Sequence, residues 1–221
     1  MTDRILAACD GACKGNPGPA GWAWVVLQGS GDGVGRWQSG ALGDATNNVA
    51  ELTALERLLS AVDAAVPLEV RMDSQYSMNA VTTWLPGWKK RGWKTAAGTP
   101  VANRDLIVRI DALLAERDVK FVYVAAHQVG GDALNAFVDQ AASQAATSQR
   151  SAQGVLTELP EAPSAAQATG ARGKARPQPA GPARTIAAKY PGTCRCGRRY
   201  EAGAQIAKNA KGWGHPECAE S

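Results

Sequence analysis

Four acidic residues lie where predicted strands and helices begin or end. Asp10 lies near the end of the first predicted strand, and Glu51 lies in the first turns of a predicted helix. Asp73 directly follows a short strand, whereas Asp139 lies within a later helix. Clustered carboxylates repel one another, and divalent cations such as Mg²⁺, which prefers oxygen ligands, offset that repulsion. A single acid at such a place is usually a cap or a solvated charge, but four shift the balance towards metal-dependent phosphodiester hydrolysis.

Three cysteines and a histidine near the C-terminus form a second candidate metal site. Their three thiolates and one imidazole make a closed tetrahedral set for structural Zn²⁺, and a module this small needs such a cross-link to fold. The ligands are Cys194, Cys196, His215 and Cys218. The Cys-x-Cys spacing is tighter than the usual Cys-x-x-Cys, and the alternative is a metal-free tail with reactive thiols.

The elements that must position the acids alternate through residues 1–147. Period-two runs between turn-rich segments predict strands, and apolar residues at helical spacing predict helices. The order βββαβααβα indicates an α/β fold with a mixed five-stranded sheet flanked by helices. The predicted strands are Ile5–Cys13, Trp22–Leu27, Val34–Leu42, Leu68–Met72 and Val119–Ala125. One predicted helix begins near Thr46. The others cover Ser74–Leu85, Val101–Arg117 and Asp132–Ala146.

Composition divides the chain into three regions. Residues 1–147 form the patterned α/β region, and residues 189–221 contain the C-terminal cysteines. Residues 148–188 hold 11 Ala, 5 Pro and 4 Gly and lack aromatic residues. Because such a segment buries too little apolar surface to offset its ordering entropy, we predict a disordered linker between two modules.

Charge and cysteine usage restrict the partners and the compartment. Residues 1–147 carry 13 Lys and Arg against 15 Asp and Glu, whereas residues 148–221 carry 11 against 5. The basic C-terminal part favours a nucleic-acid partner, with protein docking or simple solubility as the alternatives. Because no apolar run is long enough to span a bilayer and the N-terminus lacks a signal-peptide pattern, we expect a cytoplasmic monomer without a membrane partner.

Four motifs follow one another in the first region. They read CDGACKGNPGPAGW from Cys9, TNNVAEL from Thr46, MDSQY from Met72 and WLPGWKKRGWKT from Trp84. Together they resemble the motifs of bacterial type I ribonuclease H (ribonuclease HI), and the resemblance covers residues 1–147. It implies an endonuclease that hydrolyses the RNA strand of RNA–DNA hybrids by two-metal-ion catalysis and leaves 5′-phosphate and 3′-hydroxyl ends.

The resemblance also implies roles for individual side chains. Two Mg²⁺ ions, with Mn²⁺ as the alternative, are expected on Asp10, Glu51, Asp73 and Asp139. Contacts with the hybrid backbone and minor groove are expected from Cys13, Asn16, Asn47, Asn48 and Gln75, since neutral amides can meet 2′-hydroxyls there. For Asn47 and Asn48 the alternative is helix capping, which can coexist with substrate contact.

A basic protrusion between Trp84 and Thr95 is the next feature that the resemblance indicates. Cations in this segment can neutralise substrate phosphates, whereas its tryptophans are expected to serve as packing residues. The cations are Lys89, Lys90, Arg91 and Lys94.

The loop before the last helix departs from the family pattern. His127, the one histidine in residues 1–147, matches the mobile histidine that shuttles protons and helps product release in the family. Asn135 and Asp139 keep the family's N-x-x-x-D spacing, but the loop that precedes them is longer, which leaves the reach of His127 open. Asp132 is an alternative fourth ligand, although its position suits a helix N-cap better.

Two other functions are compatible with parts of this pattern. A non-catalytic hybrid-binding module would be expected to lack one of the four acids. A transposase-like nuclease would also cluster acids on this type of sheet, but it would not be expected to carry all four motifs together.

Overall fold

A computed structural model of the chain describes residues 4–29, 34–126, 128–164, 185–194, 196–209 and 212–218. The chain divides into two compact units, residues 1–171 and residues 172–221. Each unit has its own sheets, and the two are described separately below.

The first unit is built on a six-stranded mixed sheet with the order β5-β4-β1-β2-β3-β6. The first three strands form an antiparallel meander, while β4 runs parallel to both β1 and β5. This arrangement confirms the predicted mixed sheet and adds one strand to it. The strands are β1 (Ile5–Cys13), β2 (Gly18–Leu27), β3 (Gly35–Ala45), β4 (Leu68–Met72), β5 (Val119–Tyr123) and β6 (Ala152–Leu156).

The described helices of this unit are α1 (Asn47–Ala61), α2 (Gln75–Asn79), α3 (Leu85–Lys90), α4 (Arg104–Leu114) and α5 (Ala133–Ser148). A π-helical turn, Ala80–Trp84, joins α2 to α3, so the single helix predicted over Ser74–Leu85 is wrong in detail. Pro86 has no N–H to continue the helical ladder, which fits a change of hydrogen-bond pattern just before it. None of the described helices is long and apolar enough to cross a membrane.

Helices cover both faces of the sheet. On one face α1 and α4 pack their apolar sides together, and Leu55 and Ile110 are fully buried there. On the other face α5 packs against β1 and β2 through Val138 and Val25. A Cβ on Gly21 would lie 2.5 Å from the Ala146 nitrogen, so the close approach of α5 to β2 requires glycine at that position. The end of the sheet that carries the acids is therefore held between two packed layers of helices.

The sixth strand corrects the predicted start of the linker. Residues 152–156 pair antiparallel with β3, although the region 148–188 was predicted to be disordered throughout. An edge strand needs only backbone partners and one inward side chain, and Leu156 supplies it by packing in the α5 cluster. After the strand, the carbonyl of buried Pro163 accepts a 2.9 Å hydrogen bond from Gly130 N–H. The composition averaged over residues 148–188 hid the short strand Ala152–Leu156. Residues 165–184 of the predicted linker lie outside the described residues.

The second unit contains two small antiparallel sheets. A three-stranded sheet has the order β11-β10-β7, and a two-stranded hairpin pairs β8 with β9. A short 3₁₀ turn, Pro216–Cys218, follows and packs against β10. The strands are β7 (Thr185–Ala187), β8 (Gly192–Thr193), β9 (Arg199–Tyr200), β10 (Gln205–Asn209) and β11 (Gly212–Gly214).

Adjacent residues of β6 provide a matched test of its structural role. Leu156 packs in the α5 cluster, whereas Val155 is 68% exposed. We expect Leu156→Ala to lower the free energy of unfolding by about 1–3 kcal/mol, because it removes partly buried apolar volume. Val155→Ala should change it by less than about 0.5 kcal/mol. Urea unfolding of both variants measures the difference, and equal effects would mean that β6 is not part of the folded core.

Candidate active site and cysteine cluster

Direct backbone packing of β1 on α1 brings Asp10 and Glu51 together. A Cβ on Gly11 would lie 2.1 Å from the Glu51 nitrogen, so only glycine permits this approach. The start of α1 is fixed by Thr46, whose Oγ1 accepts a 3.3 Å hydrogen bond from Val49 N–H. Glu51 therefore lies in the second turn of α1, beside the strand that carries Asp10.

The parallel pairing of β4 with β1 brings in the third acid. Ala8 pairs with Arg71, so both strands run side by side towards the same end of the sheet, where Asp73 directly follows β4. The carboxylate oxygens of Asp10, Glu51 and Asp73 lie within 4.8 Å of one another. Three of the four predicted magnesium ligands thus form one compact group.

The fourth predicted ligand, Asp139, lies on α5 and is not part of this compact group. Its charge nevertheless raises the pKa values of Asp10 and Glu51. One turn earlier, the Asn135 side chain donates a 3.0 Å hydrogen bond from Nδ2 to Asp73 Oδ2. The last helix is therefore connected to the carboxylate group through Asn135.

Asp132 is a helix cap and an ion-pair partner. Its Oδ1 accepts a 2.8 Å hydrogen bond from Asn135 N–H, and its Oδ2 lies 2.7 Å from Arg71 Nη1. These contacts confirm that Asp132 is the N-cap of α5. Because Arg71 belongs to β4, the ion pair ties the start of α5 to the strand that ends at Asp73.

Burial and mutual repulsion raise the pKa values of Asp10 and Glu51. Desolvation raises the pKa of Asp10 well above its usual range, and the charges of Glu51 and Asp73 add to this effect. Burial, followed by the charge of Asp73, raises the pKa of Glu51 to about 8. Keeping these two groups ionised at neutral pH therefore requires a positive counter-charge.

Two buried oxygen atoms in the site lack hydrogen-bond partners among the described residues. They are Glu51 Oε2 and Asn135 Oδ1. An unpaired buried polar atom is costly, and oxygen atoms grouped with three carboxylates are the donors that hard divalent cations prefer. The residues present thus fit Mg²⁺ or Mn²⁺.

The predicted substrate-contact residues surround this group. Asn16 Oδ1 accepts a 3.2 Å hydrogen bond from Asn47 N–H, and Asn47 Nδ2 donates to Glu51 Oε1 at 3.2 Å. Asn48 and Gln75 are exposed at the first turns of α1 and α2. Thr46 is the N-cap of α1, so the capping alternative for Asn47 and Asn48 is wrong.

Cys13 lies at the end of β1, at the turn that leads to Asn16. Its Sγ lies 2.6 Å from the Gly15 carbonyl oxygen and 3.1 Å from that of Ala45. These contacts hold the turn against the end of β3.

The basic protrusion combines packing residues with exposed cations. Lys89 Nζ lies 2.7 Å from Asp111 Oδ2, and Arg91 Nε donates a 3.2 Å hydrogen bond to the Lys94 carbonyl. The side chains of Lys90 and Lys94 are exposed. Trp88 is buried, as expected for a packing residue, whereas Trp84, whose ring centroid lies 5.5 Å from that of Trp88, is 37% exposed.

His127, the predicted proton shuttle, lies outside the described residues. The described residues of the first unit form a cleft along α5. The floor of the cleft is α5, from Asp132 to Ser143, and one wall is formed by residues 160–163 after β6. Asp139 and Gln128 also line it. Sequence analysis missed this wall because its prolines were attributed to the linker.

The C-terminal cluster brings together all four predicted zinc ligands. One ligand atom from each of Cys194, Cys196, His215 and Cys218 lies within 4.8 Å of the others, and the cysteines are not in disulfides. His215 N–H donates to Cys194 Sγ at 3.3 Å. Two hydrogen bonds from Arg198 lower the pKa of Cys196 to about 6, and the larger effect comes from its backbone rather than its side chain. This donor set fits Zn²⁺.

Comparison with known proteins identifies the first unit. A family model for RNase H matches residues 2–147. The chain belongs to the RNase H family. It is 63% identical to a Ribonuclease HI of Streptomyces coelicolor over 227 residues, which cover 99% of this chain and 97% of the relative.

More distant relatives match the first unit. A Ribonuclease H of Tropheryma whipplei is 42% identical over 145 residues, covering 65% of this chain and 85% of the relative. The crystal structure of LC9-RNase H1, a type 1 RNase H with the type 2 active-site motif, is 25% identical with a TM-score of 0.57. That alignment covers 70% of this chain and 78% of the other.

As a bacterial type I ribonuclease H, the chain hydrolyses the RNA strand of RNA–DNA hybrids. Family membership favours this function over a transposase-like nuclease. The assembled acids Asp10, Glu51 and Asp73 argue against a non-catalytic hybrid-binding module. The Streptomyces similarity extends beyond residue 147, so it includes the region that carries the cysteine cluster.

The raised pKa values predict how pH affects the metal-free protein. A buried carboxylate whose folded-state pKa is raised binds more protons in the folded than in the unfolded chain, so stability falls as pH rises between the two values. For Glu51 this window runs from 4.5 to about 8. In thermal melts without Mg²⁺ we expect the Tm to fall across the window, and Mg²⁺ to raise it most at the upper end. The same slope in Glu51→Gln as in the unmodified chain would contradict this assignment.

Proposed function

We propose that the enzyme holds two divalent cations, Mg²⁺ or Mn²⁺, on Asp10, Glu51, Asp73 and Asp139. The observation that carries the proposal is the group of three acids, each with a carboxylate oxygen within 4.8 Å of the others, in which buried Glu51 Oε2 has no hydrogen-bond partner among the described residues. Bound cations would activate a water molecule and stabilise the leaving oxygen of the RNA phosphodiester. The products would be a 5′-phosphate and a 3′-hydroxyl end.

The amides around the acids orient them for this task. The Asn47 hydrogen bond to Glu51 Oε1 leaves Oε2 available to a cation, and the Asn135 hydrogen bond to Asp73 Oδ2 leaves Oδ1. Since these amides also limit how the carboxylates rotate, ligand geometry is set before a cation binds. We assign His127 the proton-shuttling role of the family, since imidazole titrates near neutral pH.

We further propose that the hybrid lies across the exposed side of this group. Contacts to its backbone and minor groove would come from Cys13, Asn16, Asn47, Asn48 and Gln75. Exposed Lys90 and Lys94 would meet phosphates directly, whereas Lys89 and Arg91 would first exchange the partners described above. Reading of the 2′-hydroxyls would restrict cleavage to the RNA strand.

The acid group makes a direct prediction for Asp10→Asn. We expect cleavage to fall by more than about a hundredfold, because an amide is a neutral and weaker ligand for a hard cation. Hybrid affinity should remain measurable. Cleavage assays on matched hybrid, RNA duplex and DNA duplex give the readout, with Asp44→Asn, an exposed carboxylate at the end of β3, as the control. Near-normal activity of Asp10→Asn in Mg²⁺ would refute the metal-ligand role.

For the second unit we propose a structural Zn²⁺ on Cys194, Cys196, His215 and Cys218 and a role in nucleic-acid binding. Support for the metal comes from the four donor atoms within 4.8 Å and from the hydrogen bonds that favour the Cys196 thiolate. Support for the role comes from charge, since residues 172–221 contain ten Lys and Arg against three Glu. Such an excess attracts a polyanion and releases its counterions.

Removal of residues 172–221 tests this role. The truncated enzyme keeps every predicted catalytic residue and β6, so it should still cleave hybrids. Its hybrid affinity should be weaker and less dependent on salt, because the net positive charge of the second unit is lost. Cys196→Ser should reproduce part of the loss by abolishing Zn²⁺ binding, measured by metal analysis. Equal affinities and salt slopes with and without residues 172–221 would favour the protein-docking alternative.

A further inference from the structure

The three-stranded sheet of the second unit gathers apolar side chains on one face. Ile206 of β10 pairs with Ile186 of β7, and Lys208 of β10 pairs with Trp213 of β11. Cross-strand partners share a face, and residues two apart on a strand do as well. Ile186, Ile206 and Trp213 therefore lie on the same face, with Trp213 diagonal to Ile206. We refer to these three residues as the Trp213 face.

The Trp213 face is apolar and partly exposed to solvent. On this face Ile186 is 48% exposed and Trp213 is 41% exposed, whereas Ile206 on the central strand is 6% exposed. The face therefore presents an indole and one isoleucine to solvent.

The surroundings indicate what kind of molecule this face would meet. The second unit is strongly basic, which attracts phosphates, whereas an exposed indole gains most from a flat aromatic surface. The bases of a duplex are stacked on one another and cannot offer their faces. An unpaired nucleotide offers both a phosphate and a free base, and a base stacked on an aromatic side chain is the usual contact in single-strand binding.

We propose that the Trp213 face is a platform on which an unpaired base stacks, so that the second unit prefers single-stranded nucleic acid flanking a hybrid. This inference rests on the proposed nucleic-acid role of the second unit and specifies its ligand. Trp213 supplies the stacking surface and exposed Ile186 supports the base edge, while buried Ile206 lies between them on the central strand. The phosphates of the same strand are met by the cations of the unit.

Two substitutions at one position separate stacking from simple apolar packing. Trp213→Phe keeps an aromatic ring, whereas Trp213→Leu keeps an apolar side chain but removes the ring. Tyr190→Ala is the matched control, since Tyr190 is 70% exposed in the same unit but lies outside the sheet. Each substitution is made in the full-length chain that also carries Asp10→Asn, which allows binding to be measured without cleavage.

The measurement compares two probes, a blunt RNA–DNA hybrid and the same hybrid with a single-stranded overhang. We expect the Asp10→Asn chain to bind the overhang probe more tightly. Trp213→Leu should reduce the ratio of the two affinities at least about fivefold, the lower end of the contribution of one stacked base. Trp213→Phe and Tyr190→Ala should keep most of it. No overhang preference, or equal ratios for the Leu and Phe variants, would overturn the platform.

Deletion of residues 172–221 distinguishes this failure from that of the proposed function. If the deletion leaves affinity and salt slope unchanged, the nucleic-acid role of the second unit is wrong, and the platform is wrong with it. If the deletion weakens binding but Trp213→Leu keeps the overhang ratio, the unit binds nucleic acid by its charges alone. In that case only the platform is overturned.

Discussion

Asp10, Glu51 and Asp73 each place a carboxylate oxygen within 4.8 Å of the others, so the three acids repel one another strongly. The packing of the rest of the first unit holds them together against this repulsion. Each acid is carried by a different element, so the elements must be held together by something other than the acids. The packing of Gly11 on the α1 backbone fixes one pair, and the parallel β1–β4 register fixes another. Cations then neutralise a cluster that the apolar core has already assembled.

The supporting contacts form a connected set around the acids. Asn47 holds Glu51, Asn135 holds Asp73, and the Asp132–Arg71 ion pair anchors the helix that carries Asn135 and Asp139. The neutral amides can donate to carboxylates without adding charge that would compete with a cation. The ion pair joins β4 to the N-cap of α5, so it fixes the start of the helix.

Much of this arrangement could be predicted from sequence because the motifs are local. The acids Asp10, Glu51 and Asp73, the N-cap Asp132 and the cysteine spacing all lie in short segments whose local geometry the nearby sequence determines. The strand Ala152–Leu156 could not be predicted, since edge pairing depends on β3, which lies far away in sequence. The Lys89–Asp111 ion pair was missed for the same reason. The capping alternative for Asn47 and Asn48 failed because Thr46, one residue earlier, already satisfies the helix end.

Glycines in this chain meet two different demands, and their tolerance to sequence change should differ accordingly. Gly43 has a positive φ of 66° with open space around it, so a residue such as asparagine, which accepts the left-handed region, can replace it at modest cost. Gly11 has no space for any side chain, because a Cβ would meet the Glu51 nitrogen. No compensating change of rotamer nearby can relieve a clash with backbone. Any substitution of Gly11 is therefore incompatible with this fold for as long as β1 and α1 each carry a catalytic acid.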